Sequence, residues 1–256
     1  MSDAVILTPY FLDEPVPGLR PLAKPGWQLI DTPLPNTQEK QQRMIVLHRL
    51  IKTAVFQAVQ QGQRPVSFAG DCCTTIGVLA GLQAAGQAPT LIWFDAHGDF
   101  NTWETTPSGF LGGMPLAMLV GLGEQTMPHG VGLQSLPVEQ VILTDSRDLD
   151  PGEKVLVTQS GITHLPDVTQ LLRHPLPDGP LWVHFDVDVI NLDEAPAMNY
   201  PAKGGPTAAE LERVFAFLAK TGRVTAVSIS AWNPELDKDG RTRQNVLKLL
   251  DVLLKA

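Results

Sequence analysis

Leu91-Ile-Trp-Phe-Asp-Ala-His-Gly-Asp-Phe-Asn-Thr102 is the stretch from which the rest of the chain can be read. Its apolar opening, rich in aromatic and β-branched residues, predicts a strand buried on both faces, as in a parallel sheet covered by helices. The strand runs straight into Asp95, His97 and Asp99, three potential metal ligands at alternate positions. Alternate side chains of an extended segment share a face, so two carboxylates and an imidazole converge on one spot. Such carboxyl ends of strands are where α/β folds place their sites. The alternative is a carboxylate-rich surface loop with a capping aspartate.

Leu181-Trp-Val-His-Phe-Asp-Val-Asp-Val-Ile190 decides between these two readings. It repeats the design, with Asp186 and Asp188 at alternate positions inside an apolar run. Unpaired carboxylates buried in a sheet are costly and need cations beside them. The five ligands on two predicted strands exceed the needs of one ion, so Asp95 or Asp186 is placed to bridge two. Carboxylates with imidazole suit Mn²⁺ and neighbouring divalent ions, and the reading is a two-metal hydrolytic site. His184 is assigned to the opposite face of its strand, as a packing residue.

Working outward, 256 residues, 43% of them hydrophobic and 18% charged, fit one soluble α/β domain over residues 1–256. A formal charge of −8 argues against a nucleic acid or an anionic membrane as partner. The sequence shows neither a signal-peptide pattern nor an apolar run of membrane-spanning length. The two cysteines, Cys72 and Cys73, are adjacent and form a poor disulfide pair, which points to a reducing, cytoplasmic setting.

Strands are expected at Ala4–Thr8, Arg64–Gly70, Leu91–Asp95, Gln140–Thr144, Leu181–Ile190 and Val224–Ser230. Helices are expected from about Thr37 to Gln61, from Asp71 to Gly86, from Pro115 to Val120, around Asp167 to Arg173, from Thr207, and from Gln244 to Leu254. The Pro-rich stretch from Tyr10 to Pro35 reads as a surface loop. Strands alternating with helices imply a three-layer αβα architecture with a mostly parallel central sheet.

The motifs Asp95-Ala-His-Gly-Asp-Phe-Asn-Thr102, Ser108-Gly-Phe-Leu-Gly-Gly-Met-Pro115, Arg147-Asp-Leu-Asp-Pro-Gly-Glu153 and Phe185-Asp-Val-Asp188 together resemble the ureohydrolase superfamily of arginases, agmatinases and formimidoylglutamases. The combination is far more specific than any one of them. The resemblance implies an arginase-like fold and two Mn²⁺ ions bridged by Asp95 and Asp186. Asp99 and the residue at position 72 would complete one shell, and His97 and Asp188 the other. Asp99 would also hold the activated water that attacks a guanidino carbon. Asn101, Thr106 and Ser108 match positions that hold a substrate carboxylate in arginases, and Asp148 one that meets the amino group; turn chemistry is the alternative for these types. The partner implied is a small guanidino compound, and the chain is expected to form a homo-oligomer.

Departures from the family pattern are concentrated around this site. Cys72 stands where a metal-binding histidine is usual, and reads either as a thiolate ligand or as a small buried thiol at a helix start. Phe110 replaces an asparagine, Gly112 a histidine credited with proton transfer, and Ala231 the glutamate that grips the guanidinium. Plain arginine is therefore an unlikely substrate on these residues, and Nω-hydroxy-arginine a better one. A metal- and ligand-binding homologue without hydrolytic activity is the second reading.

Overall fold

The computed structural model describes residues 1–36 and 39–255. Its framework is an eight-stranded, all-parallel sheet among these residues. The chain order is β1 (Asp3–Thr8), β2 (Tyr10–Phe11), β3 (Glu14–Pro15), β4 (Gln28–Leu29), α1 (Lys40–Gln60), β5 (Arg64–Ala69) and α2 (Thr75–Ala84). Then come β6 (Thr90–Asp95), α3 (Pro115–Leu119), α4 (Thr126–Val131), β7 (Val141–Asp145), α5 (Pro151–Ser160) and β8 (Thr163–Leu165). The chain closes with β9 (Leu181–Asp186), α6 (Ala208–Lys220), β10 (Val224–Ser230) and α7 (Arg241–Leu254). The spatial order β4-β1-β5-β10-β9-β6-β7-β8 leaves β2 and β3 as a separate hairpin.

The three expected layers follow from strand alternation. Leu91, Trp93 and Trp182 enter one core with α1 to α4, whereas Ile92, Phe94, Val183 and Phe185 enter the other with α6 and α7. Every residue of β5, β6 and β9 is buried, as a doubly covered parallel sheet requires. α1 and α2 meet closely because Gly77 and Gly81 lack side chains: a Cβ there would lie 2.8 Å from the His48 carbonyl oxygen and 2.6 Å from Val55 Cβ.

Several expectations are corrected. The expected start of α1, Thr37 and Gln38, lies outside the described residues. The Tyr10–Pro35 stretch is more than a surface loop: it supplies β2, β3 and the edge strand β4, and buries Tyr10, Leu12, Leu19, Leu22 and Ile30. α4, α5 and β8 were not expected, and the segment around Asp167 is a short 3₁₀ turn, Val168–Leu172. β9 ends at Asp186, so Asp188 sits in the following 3₁₀ turn rather than in the strand.

The hairpin locks the turn after β5. Gly70 N–H donates to the Tyr10 carbonyl at 2.9 Å, and a Cβ at Gly70 would come within 2.3 Å of that oxygen. Asp71 then accepts from Leu12 N–H at 2.7 Å and, as helix cap, from Cys73 N–H at 2.8 Å. Burial pushes its pKa up to about 6 despite these bonds. Asp71→Ala strands both donors, and the lost cap plus the unsatisfied Leu12 amide should cost about 2–4 kcal/mol in urea unfolding; a loss within 0.5 kcal/mol of zero would contradict the latch.

His48, on α1, is buried and its Nδ1 has no hydrogen-bond partner. Burial lowers its pKa from 6.5 to about 3. A depressed histidine favours folding above the unfolded value and loses that contribution as pH falls. The stability difference between wild type and His48→Leu should therefore shift against wild type between pH 6.5 and 3. A difference independent of pH across that window would show that His48 is not buried as a neutral imidazole.

Candidate metal centre

All eight strands of the main sheet run the same way, so β5, β10, β9 and β6 end on one edge of it. Beyond it opens a cavity of about 470 Å³, within the size range of small-molecule sites. Cys72, Asp95, His97, Asp99, Asn101, Thr106, Ser108, Asp148, Asp186 and Asp188, the residues singled out in the sequence, all line it. The convergence arises from turns more than from strand alternation. β6 ends at Asp95, and only that ligand of the first motif lies in a strand.

Each turn has a local cause. Asp95 accepts from Trp93 Nε1–H at 3.0 Å and from His97 N–H at 2.7 Å, which folds His97 back over the strand end. Asp99 takes φ +49°, and its carbonyl accepts from Leu116 and Ala117 at the start of α3. Phe100 N–H donates to Glu153 Oε1 at 2.8 Å. Asp186 accepts from Asp188 N–H at 2.9 Å and so caps the 3₁₀ turn that carries Asp188. Asp188 in turn accepts from Ala96 N–H at 3.0 Å, tying the two motifs together. From outside, Arg147 pairs with Asp145 and donates to the carbonyls of Asp188, Val189, Ala202 and Lys203.

Two groups of potential ligands result. Asp95, His97 and Asp188 offer atoms within 4.8 Å of one another, and so do Cys72, Asp95, His184 and Asp186. Asp95 belongs to both. Asp99 is outside both groups, but it faces the same cavity and its buried Oδ2 has no hydrogen-bond partner. Burial followed by the charge of Asp95 pushes Asp99 well above the usual carboxylate range. Burial and then the Asp188 charge raise both Asp95 and Asp186. Burial alone would depress His97, but hydrogen bonds to Asp188 and Asp95 outweigh it and push the imidazole up to about 12. Such a cluster has surplus negative charge and open lone pairs, the chemistry that divalent cations satisfy.

His184 is where the sequence reading fails. Positions 184 and 186 are two apart on a strand, so they share a face, and the expectation that His184 faces the opposite way is wrong, although it is buried and packs against Trp93 as expected. Its Nε2 lies 3.3 Å from Cys72 Sγ. Burial lowers its pKa to about 3, which keeps the ring neutral. Cys72 itself donates from sulfur to Asp186 at 2.8 Å, and burial followed by the Asp186 charge pushes its thiol well up.

The outer wall is divided between polar and aromatic groups. Asn101 donates to Asp150 at 2.9 Å and accepts from Thr105, while Thr106 and Ser108 accept from Gly109 and Phe110 amides. Asp150 and Glu153, given no role in the sequence reading, also line the cavity. Their signal was present: Asp-Pro-Gly-Glu forms the capping box of α5. Phe11, Phe110 and Tyr200 form a ring cluster at the mouth, with centroids 4.9–6.3 Å apart.

Two of the departures are in contact. A Cβ at Gly112 would lie 2.5 Å from the Phe110 ring, so any side chain at 112 requires that ring to move. Gly112→His should cost about 1–3 kcal/mol alone and much less beside Phe110→Asn. A double-mutant cycle by urea unfolding should return a coupling of about 0.5–3 kcal/mol, and additive effects would contradict the steric link.

With this geometry in view, the comparisons with known proteins are specific. Residues 24–255 match the Arginase family. The chain is 33% identical over 219 residues to the arginase of Bacillus caldovelox, covering 79% of this chain and 72% of that one. It is 30% identical over 209 residues to the N(omega)-hydroxy-L-arginine amidinohydrolase of Streptomyces lavendulae, covering 80% and 74%. The crystal structure of the Bacillus caldovelox arginase superposes with a TM-score of 0.84 at 26% identity, over 100% and 99% of the two chains. The formimidoylglutamase of Bacillus subtilis shares the fold, with a TM-score of 0.72 at 15% identity over 99% and 86%. The chain belongs to the Arginase family, within the ureohydrolase superfamily of hydrolases that act on C–N bonds in linear amidines.

Proposed function

We propose that this chain is a binuclear-manganese amidinohydrolase that cleaves a C–N bond of a guanidino or hydroxyguanidino amino acid, with Nω-hydroxy-arginine the favoured substrate. The observation that carries this reading is the shared cavity: two ligand groups that meet at Asp95, with the unpartnered Asp99 carboxylate beside them. Cys72, Asp95, Asp99 and Asp186 would hold one ion, and Asp95, His97, Asp186 and Asp188 the other. Oxygen-rich shells with one imidazole suit Mn²⁺. When bound, such ions neutralise the carboxylates and make hydroxide available near neutral pH.

The chain's own groups would do the rest. Asp99 accepts a hydrogen bond from the attacking water and orients it toward the guanidino carbon. A C–O bond forms, the bond to the substrate's δ-nitrogen breaks, and Asp99 returns the water's proton to that nitrogen. The products are an amine and urea, or hydroxyurea from a hydroxyguanidine. Asn101, Thr106 and Ser108 would meet the carboxylate of the substrate and Asp148 its amino group, supported by their place in the same wall. Ala231 lines the cavity at φ +68° and offers no carboxylate to a strongly basic guanidinium. A hydroxyguanidine, less basic, needs that partner less. The 30%-identical Streptomyces lavendulae protein named for this substrate supports the choice.

We further place the protein in the cytoplasm as a homo-oligomer acting as one 1–256 unit on small molecules, in keeping with two free cysteines and a charge of −8. Among the described residues no helix is long and apolar enough to cross a membrane.

The test is a panel assay. Mn²⁺-loaded protein incubated with Nω-hydroxy-L-arginine should release hydroxyurea much faster than it releases urea from L-arginine. Ala231→Glu should raise arginine turnover, since an unpaired buried charge costs about 3–5 kcal/mol, or roughly two to four orders of magnitude in rate. Efficient wild-type hydrolysis of arginine would overturn the substrate choice. No product from any guanidino compound would favour a metal- and ligand-binding homologue, a reading that Gly112 and Ala231 keep in play.

A further inference from the structure

We propose that His184 is a ligand of the first ion, so that Cys72, His184, Asp95 and Asp186 form a mixed sulfur, nitrogen and oxygen shell. The inference rests on the two-ion reading above and changes the composition of one of its sites. One atom from each of these four buried residues lies within 4.8 Å of the others. The imidazole missing from the turn at Cys72 is supplied by the strand beneath it.

The ring is held as a ligand should be held. Nε2 faces Cys72 Sγ at 3.3 Å and Ser230 Oγ at 3.4 Å, toward the cluster. Nδ1 meets Ser228 Oγ at 2.8 Å on the far side. Ser228 Oγ already accepts from Trp182 Nε1–H at 3.0 Å and has a second lone pair for the imidazole N–H. That arrangement leaves the Nε2 lone pair directed at the cluster, the pattern in which an outer partner fixes the tautomer of a ligating histidine. Trp93 packs against the ring at a tilt of 36°, with centroids 3.9 Å apart. The unpartnered, buried Asp99 Oδ2 lines the cavity together with Cys72, Asp95 and Asp186 and is a second sign of a cation beside this group.

Coordination would use the neutral imidazole and the Cys72 thiolate, whose proton leaves to solvent. A shell with sulfur and nitrogen favours borderline first-row dications such as Co²⁺ and Zn²⁺, while Asp95, His97 and Asp188 remain a harder site. The two positions should therefore differ in ion preference.

Titration with Co²⁺ reads this directly, through metal content, the sulfur-to-cobalt charge-transfer band and X-ray absorption. Wild type should take two ions per chain. The first equivalent should show sulfur at about 2.3 Å and an imidazole nitrogen at about 2.0–2.1 Å. Ser228→Ala should weaken that ion roughly 10–100-fold, as loss of an outer partner does, and His184→Phe should weaken it more, with the second ion retained. Two ions at wild-type affinity with an unchanged band in His184→Phe would overturn the proposal. If that variant fails to fold, wild-type absorption decides alone: sulfur without an accompanying imidazole overturns it. A single ion bearing both sulfur and imidazole would instead sink the two-ion reading and leave His184 a ligand.

Discussion

Asp95, Asp99, Asp186 and Asp188 share one buried rim, and no lysine or arginine lines the cavity that they enclose among the described residues. Crowding like charges out of water is the costliest thing this chain does, and much of the surrounding structure exists to hold them there. Backbone amides of Ala96, His97 and Asp188 are directed at the carboxylates. Glu153 stitches the Asp99 turn to α5, and Arg147 binds the turn after β9 to the loop that covers it. These bonds reduce the repulsion without removing it, which leaves the rim with the surplus negative charge that a cation would satisfy.

The departures at 72, 110, 112 and 231 all line the cavity behind that rim. Cys72 and His184 touch one another beneath Asp186. Phe110 fills the volume that a side chain at 112 would need, and with Phe11 and Tyr200 makes the mouth aromatic. The Cys72 contacts and the aromatic cluster are separate groups of side chains at one site. On the proposed reading, sulfur and a strand histidine would enter the ion-binding layer, and Ala231 would offer no carboxylate to a guanidinium.

Much of this was legible from residue patterns, for identifiable reasons. β6 and β9 are fully buried six-residue apolar runs, and doubly covered parallel strands show as continuous runs. β2 to β4 are two residues each, too short for any periodicity, and α5 buries only Glu153 and Val157, so no apolar stripe marks it. The ligand types were readable, but their convergence through a positive-φ turn at Asp99 and a 3₁₀ turn at Asp188 was not. His184 was within reach, since strand alternation alone puts it with Asp186. The contact between positions 110 and 112 depends on the path of the loop and leaves no trace in the sequence.

The central claim is that this rim binds two ions with shared carboxylates, and anomalous diffraction from Mn²⁺-loaded crystals tests it most directly. Two peaks about 3.5–4 Å apart are expected, the spacing of two-metal sites. Asp95 and Asp186 should lie between them, with Cys72 beside one peak and His97 and Asp188 beside the other. A single peak at full loading, or two that share no carboxylate, would contradict it.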